Sequence, residues 1–117
     1  MPHRSIAARE FGTWLGVLAH PDRLRLVEEL SDTERDVTDL SQALGLPHAR
    51  TSSQLAALRS HRLVDERRHS RRVFYRLTQP ELATWLLAGM RLMENSPHVS
   101  ENLREMTRQA REKWSHD

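Results

Sequence analysis

Leu40-Ser41-Gln42-Ala43-Leu44-Gly45-Leu46-Pro47-His48-Ala49-Arg50-Thr51-Ser52-Ser53-Gln54-Leu55-Ala56-Ala57-Leu58 is the stretch on which the fold turns. Its first part predicts a short helix, opened by Asp36 or Thr38 as cap, with Leu40, Ala43 and Leu44 facing inward. Gly45-Leu46-Pro47 then breaks that helix, because glycine takes left-handed backbone at a helix end and proline cannot continue one. A second helix follows over about 48–61. Leu55 and Leu58 line its inner side, while Arg50, Thr51, Ser53, Gln54 and Arg59 remain on a polar outer face.

Working outward, Phe11, Trp14, Leu15 and Leu18 recur at i, i+3, i+4 and i+7 and predict an amphipathic helix over 6–19. Pro21 suits the first turn of another helix, whose inward stripe is Leu24, Val27 and Leu30. Residues 31–36 read as a charged loop. Beyond the central pair of helices the period changes to two: Leu63-Val64 and Arg72-Val73-Phe74-Tyr75-Arg76-Leu77 read as the arms of a hairpin whose tip, Arg68-His69-Ser70-Arg71, is basic. Helical spacing returns after Pro80 with Leu82, Trp85, Leu86, Gly89, Leu92 and Met93, until Asn95-Ser96-Pro97 interrupts it. A last helix is expected from near Pro97, with Val99, Leu103, Met106 and Ala110 as a narrow seam for one partner helix. The expectation is a mainly α chain with a small β-hairpin, in the order α-α-α-α-β-β-α-α. Two helices joined by a glycine-containing turn and followed by a basic hairpin make a winged helix-turn-helix.

At 117 residues the chain has the length of one domain. We assign 1–117 to it, with 36–61 as the helix-turn-helix, 63–77 as the wing, and 6–19 and 79–115 as dimerisation helices. Dimerisation is expected because Phe11, Trp14, Leu15, Leu18, Trp85, Leu86 and Met93 offer more apolar surface than one small core consumes. The absence of cysteine excludes disulfides and thiolate metal sites. No apolar run approaches the 18 residues of a membrane span, and the N-terminus does not read as a signal peptide, so a cytoplasmic protein is expected. No Ser-His-Asp or Cys-His pattern and no glycine-rich phosphate loop is present, which argues against an enzyme.

The formal charge is only +2, but it is unevenly spread. Between Gly45 and Leu77 stand Arg50, Arg59, Arg62, Arg67, Arg68, Arg71, Arg72 and Arg76 against Asp65 and Glu66 alone. This half of the chain is therefore the one expected to face a polyanion, and the remainder is net acidic. A helix fits the major groove of B-form DNA, where Gln54 suits adenine, Arg50 suits guanine, and Thr51, Ser52 and Ser53 suit bases or phosphates. Arg59 joins that face. Arg68, Arg71 and Arg72 at the wing would lie along the backbone or enter the minor groove, with salt-sensitive affinity.

Leu18-Ala-His-Pro-Asp-Arg-Leu-Arg-Leu26, Leu40-Ser-Gln-Ala-Leu-Gly-Leu-Pro47, Thr51-Ser-Ser-Gln-Leu55 with Leu58, and Leu63-Val64 ahead of Val73-Phe-Tyr-Arg-Leu77 together resemble the ArsR/SmtB family of bacterial repressors. The likeness covers about residues 11–95. It implies that Ser52 and Gln54 face DNA, Gln54 standing where histidine is more usual, and that the terminal helices form a two-fold dimer placed on an imperfect palindrome. Two departures stand out: glycine is usual where Arg62 stands and near Ser70, both turn positions. The family's metal ligands are also missing. Neither cysteines on the third helix nor Asp/His pairs on the fifth are present, and His98 and His116 with Glu101 and Glu105 do not converge as a zinc site requires. We therefore expect no metal and no cofactor. A repressor of its own or a neighbouring operon, released by a non-metal signal, is the expected function, with Trp14, Trp85, Met90 and Met93 as candidate surroundings for a small apolar effector. A winged-helix module for protein or RNA contacts is the alternative.

Overall fold

The computed structural model describes residues 2–116, the side chains of 115 and 116 excepted. It comprises α1 (Pro2–Leu18), α2 (Pro21–Glu29), β1 (Arg35–Asp36), α3 (Val37–Leu44), α4 (His48–Ser60), β2 (Val64–His69), β3 (Arg72–Leu77), α5 (Glu81–Glu94) and α6 (Glu101–His116). The chain forms two compact units, Met1–Gln79 and Pro80–Asp117.

In the first unit, α2, α3 and α4 pack around Leu26, Val27, Leu40, Leu55 and Leu58, each fully buried. Leu26 completes this core beside Val27. Leu24 is only half-buried, Ala43 is exposed and Leu44 half-buried, so α3 turns inward chiefly on Val37 and Leu40. Asp36 caps α3 by accepting the Asp39 amide at 2.8 Å. Gly45 closes the helix at φ +66°, where the Gly45 amide donates to the Gln42 carbonyl and the Leu46 amide to that of Ser41, a pairing that requires left-handed backbone. The end of α4 repeats this arrangement without glycine. Arg62 sits at φ +58°, its amide donating to the Arg59 carbonyl and that of Leu63 to Leu58.

The wing is a two-residue hairpin in which His69 pairs with Arg72 and Val64 with Leu77, leaving Ser70 at φ +60° in the turn. Arg62 and Ser70 are thus the positions where glycine was expected and a side chain stands. The 31–36 loop also differs from its reading. Arg35 and Asp36 pair with Tyr75 and Phe74, giving a three-stranded sheet in the order β1-β3-β2. Two residues show no period of their own, so only the exposed edge of β3 defines this strand.

Helix α1 begins at Pro2 rather than near Ile6, proline fitting a first helical turn. Along it only Val17 and Leu18 are buried. Leu18, assigned from sequence to a dimer face, is 3% exposed within the protomer and has almost no surface to offer a second copy. Phe11, Leu15 and the stacked Phe11–Trp14 pair do retain surface.

In the second unit, α5 and α6 pack together and are tied by charge at the C-terminal end of α5. Glu94, 6% exposed, receives the Arg111 guanidinium, while Arg104 donates to the Glu94 carbonyl at 2.6 Å. Arg111 is the main reason the Glu94 carboxyl is held below its ordinary range. Thr107 and Trp114 are buried with them, whereas Leu103 and Met106 are 46% and 59% exposed. The seam expected to meet a partner helix therefore lies outward. The 104/107/111/114 side of α6, three polar residues and Trp114, turns in instead, because Arg111 satisfies the Glu94 carboxylate and Arg104 the Glu94 carbonyl.

Candidate nucleic-acid interface

The outer side of α4 and the wing meet in a cleft of ≈ 340 Å³, lined among others by Thr38 of α3, His48 and Ser52 of α4, and Arg68, Arg71 and Arg72 of the wing. Asp36 and Glu66 also line it, but both are engaged. Asp36 Oδ2 accepts from Arg72 Nε at 2.7 Å; Glu66 Oε2 accepts from Arg59 Nη1 and from the Tyr75 hydroxyl, each at 3.0 Å. Burial, and then the Glu66 bond, push the Tyr75 hydroxyl above its ordinary value, so it stays a donor. Asp36 is held below its ordinary range, first by the Asp39 amide and then by Arg72. With these acids neutralised, Arg68 and Arg71 project exposed from the tip, and neither forms an ion pair among the described residues. The cleft is a cationic groove.

The wing itself is braced. Arg67 and Arg72 both lie over the Phe74 ring, each guanidinium carbon 4.9 Å from its centroid, and Arg67 is tied to Glu34. Arg72, expected at the DNA backbone, is thereby occupied in holding β3 to the start of α3.

On α4 the expected contact residues divide. Ser53 is exposed and Ser52 half-buried at the cleft wall. Arg50 is exposed but held by Asp22 of α2, at 2.8 Å from Nε and 2.7 Å from Nη2. Arg59 points to Glu66 at the base of the wing. Thr51 is not on the outer face at all: it is fully buried, and its hydroxyl donates to the Pro47 carbonyl at 3.1 Å. Counting Leu55 and Leu58 inward left 51 on the same stripe at i−4, and that spacing contained the signal. Gln54 is half-buried with its amide oxygen accepting from Arg23 Nε at 2.8 Å. That oxygen is the group a bidentate adenine contact needs, so the reading of Gln54 against adenine loses its geometry in this protomer. Two residues of α2 that sequence spacing did not single out hold the two polar side chains of α4: Asp22 takes Arg50 and Arg23 takes Gln54, while His20, the cap of α2, lies beside Gln54.

No described helix is long and apolar enough to cross a membrane. Among the described residues no group of three or more His, Cys, Asp or Glu is placed to hold a metal ion. The side chain of His116 lies outside the described residues, and His98 is exposed.

Residues 20–66 match the model of the bacterial regulatory protein, arsR family. Over 76 residues the chain is 40% identical to a biofilm growth-associated repressor of Xylella fastidiosa, an alignment covering 65% of this chain and 67% of that one. Its structure resembles the crystal structure of the repressor BigR from the same organism at a TM-score of 0.68 and 33% identity, over 81% of this chain and 97% of the other. The homodimeric winged helix-turn-helix DNA-binding domain Mb0332 of Mycobacterium bovis matches at 0.68 and 25% identity, over 86% and 96%.

Proposed function

The chain belongs to the ArsR family of bacterial regulatory proteins, and we propose that it represses transcription as a homodimer in the cytoplasm, setting α4 of each copy into a major groove with the wing on the flanking backbone. That it is a DNA-binding transcriptional regulator of the repressor type, and no enzyme, follows from membership. The observation that carries the site is the cationic cleft between α4 and the wing, with its acids already paired and Arg68 and Arg71 left for phosphate. Ser52 and Ser53 offer hydroxyls to bases or backbone, and Arg50 reaches the groove once it exchanges Asp22 for DNA. Two copies related by a two-fold axis place α4 on half-sites ~34 Å apart in an imperfect palindrome, at the promoter of its own or a neighbouring operon. The absence of cysteine supports release by a signal other than a thiolate-bound metal.

A gel shift on duplexes from the gene's own upstream region, repeated across a salt series, tests this reading. Sequence-selective binding with a steep salt slope is expected. Arg71→Ala weakens binding to all sequences alike and lowers the slope by roughly one. Equal binding to unrelated duplexes, or a parent-like Arg71→Ala, refutes it.

A further inference from the structure

Histidine 20 closes the N-terminus of α2, and its ring faces two groups whose chemistry fixes its proton. Nδ1 lies 3.2 Å from the Asp22 amide. A backbone N–H only donates, so Nδ1 is the acceptor and the imidazole proton sits on Nε2. Gln54 is fixed by the same logic from the other side. The Arg23 guanidinium only donates, so the amide group beside it is Oε1, and the amide nitrogen of Gln54 turns towards His20. The two nitrogens, His20 Nε2 and Gln54 Nε2, stand 3.5 Å apart. Both carry hydrogen and neither can accept, so they do not satisfy each other. Both side chains are half-buried, so each retains some surface to solvent. Arg23 cannot turn aside, since its Nη1 also donates to the Val17 carbonyl at 2.9 Å.

We propose that His20 and Gln54 form a two-donor clamp for a pair of acceptors on duplex DNA, with Arg23 as the residue that positions it. The inference rests on α4 being the DNA-reading helix. Two N–H donors this close complement an adjacent acceptor pair, as on the guanine O6/N7 edge or two oxygens of one phosphate. His20 thereby adds a contact from α2 to those of α4, and Gln54 reads acceptors in place of adenine's mixed edge.

The test uses the full chain and a duplex selected from a random-sequence pool by the parent protein. His20→Asn keeps an oxygen to cap α2, so its thermal unfolding matches the parent, yet it lacks the Nε2 donor. It is expected to bind the selected duplex about five- to ten-fold more weakly. Gln54→Glu retains the grip of Arg23 but turns an acceptor to His20, closing the clamp, and is expected to lose at least as much. Replacing guanine by 7-deazaguanine, or single phosphates by methylphosphonates, locates the acceptor. At one such position the parent loses the same factor and His20→Asn loses nothing further; a base or a phosphate there names the source. Parent-like binding by His20→Asn, or losses that simply add at every position, overturns the clamp while leaving the interface intact if Arg71→Ala still weakens binding. If Arg71→Ala also binds like the parent, the interface and the clamp fall together.

Discussion

Arg62 carries a Cβ in left-handed backbone at the end of α4, a conformation that costs an L-residue about 1–2 kcal/mol. Part of that cost returns in the unfolded chain, where glycine has more freedom to lose. Arg62→Gly is therefore expected to stabilise the protein by about 0.5–1 kcal/mol, a rise of a few degrees in the thermal midpoint. An unchanged or lower midpoint would place the strain elsewhere. The need for positive φ here and near Ser70 was legible only through the family resemblance, in which glycine is usual at both turns. Gly45 was legible directly, from glycine's use at a helix end. The roles of His20 and Arg23 were not: a cap and a 31-residue-distant hydrogen bond leave no local spacing to read. Thr51 was misread because a hydroxyl on α4 suggested a DNA contact, whereas threonine satisfies its own hydroxyl on the preceding turn and buries well.

Asp36 joins three elements, ending β1, capping α3 and receiving Arg72 of β3. Its carboxyl is held below the ordinary 3.8, so the stability it contributes is complete above that pH and lost as pH falls through the depressed folded value. Glu105, held down to about 2 by Arg108 and then Gln109, is exposed on α6 and adds little to the same limb. Asp36→Asn, which can still cap, is expected to cost about 1–2 kcal/mol at neutral pH through the lost charge-assisted bond. It also flattens the fall in stability below pH 3.8, measured by denaturant unfolding across pH. An acid limb as steep as the parent's would assign it to other carboxylates. The long helices and β3 were legible because their periods are strong, whereas β2 was legible only at Leu63-Val64 and runs through Arg68 and His69, which were read as the tip. The strand β1 and the facing of α6 were not legible, since pairing with β3 decides the first, and a buried carboxylate overrode the apolar seam in the second.

At the scale of the whole molecule, the proposed function requires two copies, and the apolar residues left exposed on the protomer are the candidates for a surface that a second copy covers. Leu15 on α1 and Met93 on α5 are 38% and 43% exposed. Leu15→Glu and Met93→Glu are each expected to move the protein from dimer to monomer in sedimentation, and to weaken operator binding at least ten-fold, since one half-site then acts alone. A dimer of parent-like stability in both variants would move the interface to another face, with the outward Leu103 and Met106 next in line. Arg23 gives such an assembly a short mechanical link. One guanidinium grips the last turn of α1 through the Val17 carbonyl and, by its other edge, the amide of Gln54 on α4. Whatever pushes α1 aside must drag Gln54, the side chain proposed to read DNA, with it or break that grip, so news of a disturbed helix would reach α4 across the span of a single side chain.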